Sequence, residues 1–182
     1  MAKLILGPSG SGKSTLINKR FVGFKNLIFG YELENKKYDF LKFWKKTKIS
    51  KNSIVHYNIL NDLSKQNYNY DEEKFLQNDK LLKKILSYNK LFDEVIILIT
   101  PIKELIYRAA SREKVEDNIT DKYDNEFWLN HIKKTNFENL YKELFLILDV
   151  NNLKYEILYS SSNDFRKTKK DYIKKNLAGI YE

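Results

Sequence analysis

The segment Gly7-Pro8-Ser9-Gly10-Ser11-Gly12-Lys13-Ser14 constrains this chain more than any other stretch of it. It fits the spacing G-x-x-x-x-G-K-[ST], and it lies between an apolar run, Lys3–Leu6, and a helical stretch, Lys13–Phe21. A glycine-rich turn that leaves a strand and opens a helix lets successive N–H groups converge on one concavity. The helix dipole favours negative charge at that same end. Gly7, Ser9, Gly10, Ser11 and Gly12 supply the backbone of such a cradle. Lys13 is placed to reach the β- and γ-phosphates of a nucleoside triphosphate, the Ser14 hydroxyl to ligate Mg²⁺, and Thr15 to touch the α-phosphate. The plainer alternative is a glycine-rich turn that joins strand to helix and binds nothing. The full match in this setting favours the phosphate cradle.

Strand and helix signals alternate from there on. Asn26–Phe29 reads as a second strand stopped by Gly30, Ser53–Tyr57 as a third, Glu94–Ile99 as a fourth and Lys154–Tyr159 as a fifth. Between them a helix is expected from Asp71 to about Asn89 and another from Pro101, since proline suits a first helical turn. A long helix follows from Asp124 to about Leu148, carrying Trp128, Ile132, Leu140, Leu144 and Leu148. The last starts at Asn163 or Asp164, with Phe165, Ile173 and Leu177 on its apolar side. Strands alternating with helices imply an α/β fold: a five-stranded, mostly parallel sheet covered on both faces, in three layers. With 182 residues the chain fits a single domain, 1–182.

Composition narrows the setting. The absence of cysteine excludes a disulfide framework or thiolate metal site, and no apolar run reaches the roughly 18 residues a membrane helix needs. A cytoplasmic protein that does not engage the membrane is expected. Lys and Arg outnumber Asp and Glu by 33 to 24, a net charge of +9 that attracts anions, nucleic acid among them. A general Lys-, Asn- and Ile-rich bias explains most of this excess more simply. Two stretches concentrate it: Lys36 to Lys51, and Arg166 to Lys175.

A second constellation follows the fourth strand: Thr100-Pro101-Ile102-Lys103-Glu104-Leu105, then Arg108-Ala109-Ala110-Ser111-Arg112. Strand, proline-opened helix, Glu-Leu pair and R-x-x-x-R together resemble the region before the lid in small P-loop kinases, the nucleoside monophosphate, shikimate and gluconate kinases. The resemblance implies a P-loop NTPase fold, ATP with Mg²⁺ as the phosphoryl donor, and a small-molecule acceptor. It implies that Arg108 and Arg112, with Lys114 in a lesser place, clamp the transferring phosphoryl group. Residues four apart share a helix face, but two solvated arginines near a helix end would fit as well. Residues 111–123 would form the lid, and Ser160-Ser161-Ser162-Asn163 would offer contacts to the adenine ring, Ser161 in particular; the same residues also suit a turn and helix cap.

The chain departs from that pattern where the third strand ends. An aspartate is expected there, and the sequence reads His56-Tyr57-Asn58-Ile59-Leu60. Asp62, or an acid from the second strand, would then have to supply the charge beside Mg²⁺. Glu32, with Glu34 behind it, follows the second strand and is the candidate for acceptor binding or general base, unless it is a solvated loop acid. His56 could hold an acceptor or donate to phosphate, or serve the core alone. An aromatic, basic insert at 31–51, with Tyr38, Phe40, Phe43 and Trp44, occupies the acceptor side and suits an anionic metabolite or nucleotide. Three functions stay open: a small-molecule kinase, a kinase or repair factor for nucleic-acid ends, and a non-catalytic nucleotide-binding regulator.

Overall fold

Long apolar runs bury both faces of a strand, and that places them at the centre of a parallel sheet. In a computed structural model, which describes residues 2–24, 26–29, 52–59, 92–111, 125–162 and 164–181, β1 (Ala2–Gly7) and β4 (Phe92–Ile99) take that place. Around them lie β2 (Asn26–Phe29), β3 (Ser53–Asn58), β5 (Tyr155–Ser161) and β6 (Asp164–Thr168), in the order β2-β3-β1-β4-β5-β6. The first five strands are mutually parallel, as expected, and β6 adds a sixth, antiparallel to β5.

Among the described residues the helices are α1 (Lys13–Arg20), α2 (Ile102–Ala110), α3 (Asn125–Lys134), α4 (Phe137–Val150) and α5 (Lys170–Tyr181). Alternate residues of each strand face opposite layers. Leu4, Leu6, Val55, Tyr57, Ile97 and Ile157 pack with the apolar sides of α2, α3, α4 and α5. Ile5, Ile54, Ile96, Leu98 and Leu158 pack on the other face with Leu16 and Ile17 of α1. The result is a three-layer α/β fold. From the α4 side, the buried Tyr141 hydroxyl donates to the Leu98 carbonyl (2.6 Å) and so anchors that helix on β4.

Two stretches differ from the sequence reading, each for a local reason. The long helix expected over Asp124–Leu148 is two helices, broken at Thr135 and Asn136. Thr135 Oγ1 donates back to the His131 carbonyl, and Asn136 leaves helical geometry (φ −77°, ψ 89°) to accept the Asn139 N–H at 3.0 Å as the N-cap of α4. Short polar side chains that bond nearby backbone favour caps over helix interiors. The apolar periodicity on either side concealed the break.

The other difference is at the C-terminal end. The helix expected from Asn163 or Asp164 begins only at Lys170, after a hairpin whose register pairs Ser161 with Asp164. Ser162 takes a positive φ (47°), as two-residue hairpin turns require. Phe165 alternates with exposed Asp164 and Arg166 and packs on the α1 face, whereas Ile173 and Leu177 pack on the opposite face. Those three residues therefore never share a helical stripe. The helix expected over 71–89 lies outside the described residues.

Replacing Asn136→Ala should remove the cap of α4 and cost about 1 kcal/mol, roughly 2–4 °C in melting temperature. Denaturant unfolding of the two proteins side by side checks this, and equal midpoints would contradict the capping role.

Candidate functional site

The carboxyl ends of β1, β3, β4 and β5 meet at one edge of the sheet, where Gly7 is in register with Asn58. The P-loop leaves β1 there. Pro8 to Ser11 forms a turn closed by the Ser11 N–H on the Pro8 carbonyl (3.2 Å), with Gly10 at φ +81°. Gly12 follows at φ +89° as the N-cap of α1. Both conformations are left-handed, open to glycine and strained for other residues. Gly7 is required for a different reason: a Cβ there would stand 2.6 Å from Ser11 Oγ.

Each of the loop carbonyls named here meets a donor. Gly7 O accepts from the Ile59 N–H (3.2 Å), Ser11 O from Thr100 Oγ1 (3.3 Å), and Gly12 O from the Leu16 N–H (2.8 Å). Lys13 Nζ donates to Gly7 O (2.8 Å) and Pro8 O (2.7 Å). The first turn of α1 contains no acid, and Lys19 and Arg20 sit in its last turn, so the dipole is complemented at the far end and the loop end stays favourable to anions. Ser14 is exposed on that first turn, Ser9 and Thr15 are half-buried, and Ser11 is fully buried.

Arg108 does not project into solvent. From α2 its Nε donates to Glu104 (2.9 Å), while Nη1 donates to Gly10 O (3.1 Å) and to Ser160 Oγ (3.2 Å) at the end of β5. Its side chain is only 14% exposed. Ser161, half-buried, lies next along β5 at the start of the hairpin. Thr100, Glu104 and Ser160 were not singled out by the sequence as supports of the loop. A hydroxyl at the end of β4, just before the helix-opening Pro101, was the one available hint.

His56 lies in register with Ile5, largely buried, and its pKa is pushed down to about 3, first by burial and then by the positive charge of Lys13. It is therefore neutral near pH 7 and carries no charge to phosphate. Among the described residues no cluster of three or more His, Cys, Asp or Glu could hold a metal. Exposed Ser14 fits a single neutral ligand to Mg²⁺, and Asn58 stands at the strand end where an acid was expected. Glu32, Glu34, Asp62, Arg112 and Lys114 lie outside the described residues, as do the whole insert at 31–51 and the lid after Ser111.

The basic stretch from Arg166 is mostly paired. Arg166 meets Asp164 (2.7 Å), Lys167 meets Glu156 (3.3 Å), and Lys170 and Lys174 both meet Asp149 (2.6 and 3.2 Å). Such exposed pairs add little to stability, but they offset the local charge. No helix among the described residues is long and apolar enough to cross a membrane.

The strand order and the loop between β1 and α1 define a P-loop NTPase fold. No family model matches the chain, and no curated protein matches it. Among solved structures, a shikimate kinase from Bacteroides thetaiotaomicron aligns with a TM-score of 0.42 and 11% identity, over 99% of this chain and 95% of that one. A deoxyadenosine kinase from M. mycoides with bound dATP aligns at 0.44 and 18%, over 98% of both chains. The same enzyme with bound dCTP aligns at 0.41 and 20%, over 98% and 97%.

The low pKa of His56 has a consequence for stability. On acidification the unfolded chain takes up a proton at His56 near its ordinary 6.5, while the folded chain holds it neutral to about 3. The unfolded state binds more protons across that window, so His56 makes the fold less stable as pH falls through it. His56→Gln should flatten this part of the acid limb, measured by urea unfolding between about pH 7 and about pH 4. An unchanged slope would contradict the burial of a neutral imidazole.

Proposed function

We infer that this chain is an ATP-dependent phosphotransferase, a kinase that acts with Mg²⁺ on a small, anionic metabolite or nucleotide in the cytoplasm. The observation that carries the reading is the loop itself. Its carbonyls are held by donors, Gly10 and Gly12 are left-handed, and an acid-free helix N-terminus follows. A cradle of that form suits the phosphates of a nucleotide.

The chain's residues then divide the work. N–H groups of the Gly7–Ser14 loop hold the phosphates, and Lys13 exchanges its carbonyl partners for phosphate oxygens. Thr15 stands near the α-phosphate and Ser161 near the base. Ser14 and an acid, for which Asp62 is the candidate, would hold Mg²⁺, which supplies charge neutralisation on the phosphates when bound. Arg112 meets the charge that develops on the transferring group. Glu32 orients the acceptor hydroxyl or takes its proton, with the insert at 31–51 binding the acceptor's anionic part and the lid at 111–123 excluding water. Catalysis of this kind rests on positioning and charge neutralisation. Asn58, neutral where an acid is expected, favours a second reading, a nucleotide-binding regulator that transfers nothing.

Thermal melting with Mg²⁺ and a non-hydrolysable ATP analogue tests the reading, repeated over small acceptors and short oligonucleotides. A ligand at a hundred times its Kd adds about 2.7 kcal/mol, roughly 5–10 °C here, and Lys13→Ala should remove that shift. A further shift with one small acceptor supports the kinase, a shift with nucleotide alone favours the regulator, and a shift with oligonucleotides alone favours a nucleic-acid-end enzyme. A well-folded protein that shifts with none of these ligands overturns all three.

A further inference from the structure

A P-loop cradles anions only while its peptide planes keep one orientation. The peptide group is planar and trans, so its C=O and N–H point opposite ways, and a donor fixed on the carbonyl decides where the next N–H points. The Gly10–Ser11 peptide is the weak point of this loop. That plane turns about ψ of Gly10 and φ of Ser11; Gly10 has no Cβ to restrict its side of the rotation, and the Ser11 N–H closes the turn onto Pro8. A flip of that plane would open the turn and turn a carbonyl towards the space where phosphate belongs.

We propose that Arg108, together with Ser160, is a positioning residue that locks the Gly10–Ser11 peptide and so keeps the phosphate cradle formed. The geometry suits a lock better than a clamp on the reacting group. Nη1 is divided between Gly10 O (3.1 Å) and Ser160 Oγ (3.2 Å), and Glu104 holds Nε at 2.9 Å from the same helix. The guanidinium plane is thereby set from two sides. The adjacent Glu104 carboxylate also offsets the charge that a phosphoryl clamp would need, while leaving the hydrogen-bond geometry intact. Contact with the loop is close: Nη1 lies 3.2 Å from the point a Cβ on Gly12 would occupy. Arg108 thus joins α2, the end of β5 and the P-loop, elements 52 and 98 residues apart in sequence.

This role rests on the cradle binding a nucleotide, but not on any phosphoryl transfer, and the test keeps the two apart by reading binding alone. Affinities of Mg²⁺ with ADP, and with a non-hydrolysable ATP analogue, are measured by calorimetry for the full chain and its variants. Arg108→Met should weaken both nucleotides by the same factor, about tenfold, the range expected for losing a hydrogen bond to a charged donor. Arg108→Lys should recover part of the loss. Ser160→Ala should weaken both by about threefold, and the double variant should lose less than the product of the two factors. Amide hydrogen exchange at Ser11 should quicken in Arg108→Met while that of β1 stays unchanged.

If Arg108→Met leaves ADP binding intact and weakens the ATP analogue alone, Arg108 meets the γ-phosphate and the lock is overturned. Unchanged binding of both nucleotides overturns it as well. Should Arg108→Met fail to fold, Arg108→Lys and Ser160→Ala carry the same comparison. A wild-type chain that binds no nucleotide sinks the functional reading itself, a result separate from any of these.

Discussion

The orientation of five backbone carbonyls, those of Gly7, Pro8, Gly10, Ser11 and Gly12, is the constraint on which the site depends. Their donors come from just past β3 through Ile59, from just past β4 through Thr100, from α2 through Arg108 and from α1 through Leu16 and Lys13. No loop of this length could hold such a shape alone, since glycine-rich backbone has the most conformational freedom to lose. The sheet order makes the arrangement available. With β1 between β3 and β4, their carboxyl ends flank the loop on both sides, and β5 brings Ser160 to the far side of Arg108.

That order is itself a product of burial. β1 and β4 bury both faces with Leu4, Ile5, Leu6, Ile96, Ile97 and Leu98, which suits the middle of a sheet and no other place in it. The charged residues Asp164, Arg166 and Lys167 lie exposed on β6, at the edge, where charge discourages pairing with another chain. Burial at the centre reaches the site, because Gly7 and Asn58 are the last residues of strands whose other side chains, Lys3 apart, are buried.

What could be read in advance was what is local. The P-loop spans eight consecutive residues whose types answer to backbone conformation and charge, and the structure gives Gly10 and Gly12 the left-handed geometry that such a turn demands. Strands β1 and β4 were legible because a continuous apolar run admits few alternatives. The break at Thr135 and Asn136 was not, since a cap is a matter of two side-chain bonds inside an otherwise unbroken helical period. Phe165 was assigned to a helix because spacing cannot tell which face of the sheet a residue will meet. Arg108 shows the limit most clearly: two of its three partners lie 52 and 98 residues away, so no local pattern separates a lock from a solvated arginine.

Electrostatics divides the cations of this chain by what they touch. Lys170 and Lys174 converge on Asp149, and Arg108 on Glu104, pairs in which opposite charge is cancelled at short range. Lys13 donates to two neutral carbonyl oxygens, which orient its ammonium, and its charge adds to burial, the larger cause, in lowering the His56 pKa. Arg108, by contrast, lies beside the Glu104 carboxylate and is already committed to the Gly10 carbonyl and Ser160. Net charge alone, at +9, could not have drawn that distinction. The peptide planes of the loop are only as fixed as the donors behind them.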